Sequence, residues 1–241
     1  MLCVHSIETF GTHEGPGIRL VVFLQGCNFK CLYCHNPDTQ NLEGGVQLSS
    51  ENILELLEKQ RPYFKKNGGL TVSGGEPLLQ REDLIDLFTK AKKLGFNIAL
   101  DTNGSVFDEL TKKLLEATDL VLLDVKHIDN DWHKKVTGNA NIGTLKTAKY
   151  LQDIKKDVWL RYVLVPGFTD QEDFLHKWGK HFKDYKNIKR VEILPLHTFG
   201  FYKYKELGRK NPLENTPVPT QEGVQKALDI FKQYFNEVHI R

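Results

Sequence analysis

The sequence predicts an α/β fold, an incomplete (β/α)6 TIM-like barrel. Three observations point there. Short apolar or β-branched runs alternate with amphipathic helical stretches, the pattern of βαβ units and a parallel sheet. The strand candidates have near-continuous apolar centres, as strands covered on both faces do. Only six such units are clear in 241 residues, whereas a full eight-unit barrel takes about 250.

In chain order, Arg19–Leu24 (RLVVFL) reads as the first strand and Glu51–Gln60 as a helix. Leu70–Ser73 is the second strand. Asp83–Leu94 follows as a helix with Leu84, Leu87, Phe88 and Ala91 on one face. Asn97–Asp101 is a strand and Asp108–Glu116 a helix; Leu120–Val125 is a strand and Thr144–Lys155 a helix. Val158–Val165, the helix Gln171–Lys183 and the strand Arg190–Leu194 complete the six units. Val224–Tyr234 reads as a last helix and Glu237–Ile240 as a short last strand. Lys203–Pro219 is polar and holds three prolines, so it reads as a loop. No repeat or linker marks a second domain, and residues 1–241 read as one.

The composition is 40% hydrophobic and 27% charged, with 33 basic against 31 acidic residues. A net charge of +2 is too balanced to argue for nucleic-acid or membrane-surface binding. The longest apolar runs, Leu20–Leu24 and Leu120–Leu123, are far too short to span a bilayer. The first residues lack the basic and apolar regions of a signal peptide. Three of four cysteines crowd one short loop, which suits a metal site better than a disulfide framework. These features lead us to expect a cytoplasmic protein.

The loop is Cys27-Asn28-Phe29-Lys30-Cys31-Leu32-Tyr33-Cys34-His35-Asn36, spaced C-x3-C-x2-C. Three thiolates can converge there, but the loop offers no fourth. Iron–sulfur cubanes usually take four cysteines; with three, one iron keeps an open position. A closed zinc site would need His35 as fourth ligand. Adjacent ligands at 34 and 35 strain a tetrahedron, so the cluster is the better reading. Cys3 lies apart and reads as structural or incidental.

In barrels, functional residues sit just past the C-terminal ends of the strands. Here those ends carry Gln25-Gly26-Cys27, Ser73-Gly74-Gly75-Glu76-Pro77, Asp101-Thr102-Asn103-Gly104, Asp124 with Lys126, Pro166-Gly167, and Pro195-Leu196-His197. Six on one rim describe a site. Adjacent glycines let backbone groups approach a ligand. Glu76 can accept from an ammonium group, or merely favour the next helix start. Asp124 and Lys126, two apart in a strand, point to one face and can clamp an amino-acid moiety. Arg161, inside a strand, needs an anion or a carboxylate. Tyr33 is either core filler or a ligand contact.

The C-x3-C-x2-C motif resembles that of the radical S-adenosylmethionine (SAM) enzymes. Gly15-Pro16-Gly17-Ile18-Arg19, Phe23-Leu24-Gln25-Gly26-Cys27 and Tyr33-Cys34-His35-Asn36-Pro37 resemble the glycyl-radical-enzyme activating enzymes, over essentially the whole chain. The resemblance implies a 4Fe–4S cluster on Cys27, Cys31 and Cys34. It implies reductive cleavage of S-adenosyl-L-methionine to methionine and a 5′-deoxyadenosyl radical, under anaerobic conditions. Ser73, Gly74, Gly75 and Glu76 would hold the methionine amino group, Tyr33 and His35 would lie toward the adenine, and Cys34 would be a further SAM contact. Asp124, Val125, Lys126, Arg161 and His197 match further SAM contacts. Asp101, Thr102, the Leu122 backbone and Asp124 match a monovalent-cation site. Glu14 matches a protein-substrate contact. The partner implied is pyruvate formate-lyase, with reduced flavodoxin or ferredoxin as electron donor. No cysteine follows Cys34, which argues against an inserted ferredoxin-like segment. Activation of another glycyl radical enzyme, a small-molecule radical SAM enzyme and a non-catalytic metal-binding module stay open as alternatives.

Overall fold

The computed structural model describes all residues, Met1–Arg241. The chain divides into two compact units: Met1–Asn28 with Thr39–Leu122, and Phe29–Asp38 with Leu123–Arg241. No helix is long and apolar enough to cross a membrane.

Unit 1 begins with β1 (Leu2–Gly11), which pairs antiparallel with β2 (Arg19–Leu24), and on its other side with β3 (Val46–Leu48). Neither β1 nor β3 was expected. In β1 only Leu2, Val4 and Gly11 are buried, so the strand offers almost no apolar signal. Helix α1 (Ser50–Phe64) starts at a capping box between Ser49 and Asn52. It leads to β4 (Gly69–Gly74), parallel to β2 in an unbroken register from Arg19 opposite Gly69 to Leu24 opposite Gly74.

A 3-10 turn (Pro77–Gln80) precedes α2 (Arg81–Lys93), whose buried face is the expected Leu84, Leu87, Phe88 and Ala91. β5 (Asn97–Thr102) runs parallel to β4. Helix α3 (Glu109–Ala117) is capped by Asp108, whose carboxylate accepts from Thr111 N and pairs with Arg81 at 2.5 Å. β6 (Leu120–Asp124) ends the unit and enters the next.

Arg19 is wholly buried at the start of β2. Its guanidinium donates to the Thr71 hydroxyl (2.6 Å), Asn97 Oδ1 (2.9 Å), and the carbonyls of Pro16, Asn67, Leu70 and Asn97. Burial lowers its pKa to about 10. Arg19 thereby ties the 14–18 turn to β4 and β5.

Unit 2 contains α4 (Asn130–Thr137), α5 (Ile142–Asp153), β7 (Asp157–Leu164), α6 (Glu172–Phe182) and β8 (Ile188–Pro195). It closes with α7 (Phe201–Glu206), α8 (Gln221–Lys232) and β9 (Val238–Ile240). β7, β8 and β9 run parallel. Their outer cover is aromatic: Trp178 packs 4.9 Å from both Phe182 and Phe231, and 5.6 Å from Tyr162, ring centre to ring centre. Such pairs add to simple area burial.

The strand order is β3-β1-β2-β4-β5-β6-β7-β8-β9. The order has two ends and does not close, as an incomplete barrel requires. The six expected strands are its centre, β2 and β4 to β8. The segment 203–219 is not all loop: α7 occupies its first residues, because Tyr204 is buried and anchors the turn.

Candidate active site

Cys27 belongs to unit 1, and Cys31 and Cys34 to unit 2. None of the four cysteines is in a disulfide, and each is partly exposed. No three His, Cys, Asp or Glu side chains are gathered as a metal-ligand set.

In unit 1 the chain leaves β2 through Gly26, whose φ of +96° favours glycine. Gly26 N donates to Thr39 O (2.8 Å) and Cys27 N to Gln40 O (3.4 Å). From β4, Gly75 N donates to Leu24 O (2.9 Å) and Glu76 N to Gly26 O (2.8 Å). A Cβ on residue 75 would lie 2.1 Å from Gly26 O. Position 75 is therefore glycine because the turn bearing the first cysteine passes across it. Ser73 Oγ donates to Asp101 Oδ2 at 2.7 Å.

Of its two sequence readings, Glu76 takes the one at the next helix start, where it caps the 3-10 turn. Its side chain is fully buried and accepts from Leu78 N (2.9 Å), the Thr102 hydroxyl (2.5 Å) and Asn103 N (2.8 Å). Burial raises its pKa to about 7, against the lowering effect of those three donors. Glu76 thus joins β4 to the end of β5 and is not presented to an ammonium ligand. The same bond commits the Thr102 hydroxyl, which also accepts from Gly104 N at 3.0 Å. The Leu122 side chain lies in the core.

Glu14 is half-buried. Its carboxylate accepts from His13 N (3.1 Å) and its carbonyl from the Thr71 hydroxyl (2.7 Å). Thr71 is two residues before Ser73 on the same strand face, so the Glu14 turn lies beneath the rim. Sequence reasoning missed Asn28 and Ser105, and placed Asn103 on the rim without its partner. Asn28 Nδ2 donates to Ser105 Oγ (2.7 Å), and Ser105 N to Asn103 Oδ1 (2.9 Å), which ties the residue after Cys27 to the loop after β5. The signal was present in the polar run 101–105, without its partner.

In unit 2 the cysteine loop hangs from the end of α4. Lys30 N donates to Thr137 O (2.8 Å) and Leu32 N to Val136 O (2.9 Å). Cys34 N donates to Cys31 O at 3.2 Å, a tight turn that fixes two thiols close in sequence. α7 straps the far side. Tyr204 donates its hydroxyl to Cys34 O (3.2 Å), and Lys203 binds Asn36 Oδ1 (2.9 Å) and Asp38 (3.0 Å).

Tyr33 is core. It packs with Val136, Val163, Val165, Leu196 and Leu213, and burial raises its phenol well above the ordinary value. Its hydroxyl is buried with no hydrogen-bond partner, and Lys126 Nζ stands 5.9 Å from its ring centre. His35 instead stacks on His197, 3.9 Å between centroids, and its Nε2 meets His197 O at 3.2 Å. That contact with a carbonyl puts the ring proton on Nε2. Burial first, then electrostatic repulsion from the His197 ring and from Lys126 and Lys203, lowers the His35 pKa to about 4.

Asp124 and Lys126 pair at 2.8 Å, both mostly buried. Val125 between them is buried and donates its N–H to Arg161 O at 3.2 Å. Arg161 finds its carboxylate inside the protein: Nε meets Glu192 Oε2 at 3.3 Å, and Glu192 is fully buried. Arg241 also reaches Glu192, at 3.0 Å. Glu192 was not foreseen, since an acidic residue in an apolar strand gives no hint of its partner.

The donors fit an iron–sulfur cluster in kind: cysteine sulfur, free of disulfides, on a loop held by backbone bonds. A rim of polar residues at the ends of parallel strands, with a C-x3-C-x2-C loop, defines the class of radical SAM proteins. The model of the radical SAM superfamily matches residues 21–178. An activating enzyme of pyruvate formate-lyase from Streptococcus mutans serotype c is 46% identical over 232 residues, 93% of this chain and 88% of that protein. The pyruvate formate-lyase 1-activating enzyme of Escherichia coli is 40% identical over 238 residues, 98% of this chain and 97% of that one. A crystal structure of a domain of such an enzyme from Bacteroides vulgatus shares the fold at a TM-score of 0.61 and 23% identity, covering 72% of this chain and 99% of that one. The chain belongs to the radical SAM superfamily, and within it to the family of the pyruvate formate-lyase activating enzymes.

Proposed function

We propose that this chain activates pyruvate formate-lyase by placing a radical on one of its glycines. The carrying observation is the C-x3-C-x2-C loop, undisulfided and pinned at its third cysteine, in a chain 40–46% identical to proteins named for that activation. Cys27, Cys31 and Cys34 would hold a 4Fe–4S cluster by their thiolates. When bound, that group supplies reductive cleavage of S-adenosyl-L-methionine and the 5′-deoxyadenosyl radical that takes the glycine hydrogen. The protein's task is to position and shield.

Asp124 and Lys126, paired with each other at 2.8 Å, would exchange that pairing for the ammonium and carboxylate of the methionine moiety. The Gly74-Gly75 backbone would face the same group. The neutral His35 and His197 rings offer flat surfaces to the adenine. Asp101 and Asp124 would be the carboxylates available to a monovalent cation. Arg161, held by Glu192, supports the floor of the site through the strand. Reduced flavodoxin or ferredoxin would supply the electron.

The test is electron paramagnetic resonance on the reconstituted protein mixed with pyruvate formate-lyase, SAM and dithionite, without oxygen. A glycyl-radical doublet on the partner is expected. Its absence from a preparation that cleaves SAM would refute the partner and leave the superfamily standing.

A further inference from the structure

We propose that the segment 199–210, built around α7, is the docking face for an acidic one-electron carrier protein. This rests on the functional reading above, which requires an electron to arrive at the cysteine loop. Two observations single out the segment. It is attached directly to the third cysteine: Tyr204 donates to Cys34 O at 3.2 Å, and Gly200 sits so close to His35 that a Cβ there would be 2.8 Å from His35 O. An aromatic row leads from its surface to that cysteine. Phe199 lies 4.9 Å from His197, and His197 lies 3.9 Å from His35, the residue bonded to Cys34.

The outer side of the segment is apolar and basic. Phe199 is 81% exposed and Tyr202 58%, far beyond what the core needs. Residues 199–210 hold four basic side chains, Lys203, Lys205, Arg209 and Lys210, against Glu206 alone. Lys203 is drawn in to Asp38, whereas Lys205 and Lys210 are exposed. An exposed aromatic centre with a basic surround is complementary to a carrier whose redox group is ringed by carboxylates, and such charge pairing mainly speeds encounter. In the transfer, the reduced carrier loses one electron and the oxidised group on the cysteine loop gains it. No proton need move.

The test uses reconstituted holoenzyme and flavodoxin. Affinity for oxidised flavodoxin is measured by calorimetry at two salt concentrations, and cluster reduction by reduced flavodoxin is followed in stopped flow. The double variant K205E/K210E is expected to bind at least tenfold more weakly, with a shallower salt dependence. Its reduction by dithionite, which needs no docking, should match wild type. The neutral pair K205Q/K210Q should show a smaller loss in the same direction, which guards against misfolding of the reversal variant. Wild-type affinity and reduction in either pair overturn the proposal. So does a variant that keeps flavodoxin binding and loses only pyruvate formate-lyase activation, which would give the face to the protein substrate. Calorimetric binding needs no reduced cluster. A failure of the functional reading would appear separately, as wild-type protein that dithionite cannot reduce.

Discussion

Asp124 and Lys126 form an ion pair at 2.8 Å although β6 ends at Asp124. The alternation of a strand would place them on one face, and that relation survives two residues past the strand end. Both are largely shielded from water, at 18% and 13% side-chain exposure. Such a pair is poised for a zwitterion, because each member already stands in for the group its ligand would bring.

Lys126→Ala should therefore weaken SAM binding by about 1.5–3 kcal/mol, the loss of a charge-assisted hydrogen bond. Iron content should be unchanged. Calorimetric titration of SAM measures the first and iron analysis the second; affinity within twofold of wild type would remove Lys126 from the site.

Cys27→Ala, Cys31→Ala and Cys34→Ala should each abolish cluster retention after anaerobic reconstitution, since the proposed cluster takes no other protein ligand. Cys3→Ala should keep it. Cys3 Sγ instead contacts Gly44 O at 3.0 Å. Iron per chain and visible absorbance decide; a Cys31 variant with full iron would break the assignment.

Gly75→Ala should behave almost like a cysteine variant. The added Cβ meets Gly26 O at 2.1 Å, and both flanking contacts are backbone. The turn carrying Cys27 must shift. We expect much reduced iron uptake with the far-ultraviolet circular dichroism of wild type; full iron uptake would show that the turn yields cheaply.

Arg19→Lys should cost about 2–4 kcal/mol of stability, because buried acceptors lose their donors. A lysine cannot reproduce the fork that serves Thr71, Leu70 and Asn97 together. Urea unfolding measures it, and a midpoint equal to wild type would contradict the network.

Glu76 gives a pH signature. Its pKa rises from 4.5 to about 7 on folding, chiefly by burial. Between those values the folded state holds more protons than the unfolded state, so the Glu76 contribution falls as pH rises from about 4.5 to 7 and is level above. Glu76→Gln should be less stable throughout, and the gap to wild type should be wider at pH 5 than at pH 7.5. A gap that widens with rising pH would reverse the assigned shift.

The sequence by itself determined the class of fold and the chemistry of the loop. The six central strands were legible because buried parallel strands are apolar on both faces, and the C-x3-C-x2-C spacing because ligand sets are short and local. The buried face of α2 was legible for the same local reason. β1 and β3 were not, since their residues mostly face outward, so only the pairing of β1 with β2 and of β3 with β1 makes them strands. α7 was hidden inside a polar stretch, because what fixes it is Tyr204 reaching Cys34, 170 residues away.

The roles of single polar residues were decided by tertiary structure alone. For Glu76, Tyr33 and Arg161 the sequence left both a ligand and a partner within the protein open. Folding gives Glu76 to Thr102 and Asn103, Tyr33 to an apolar cluster, and Arg161 to Glu192. A residue's type states which partners it can satisfy. Which partner it meets depends on residues distant in the chain, and burial makes that choice costly to leave unmade. Cys27, Cys31 and Cys34 could be proposed as one ligand set from sequence alone because they lie within eight residues of one another.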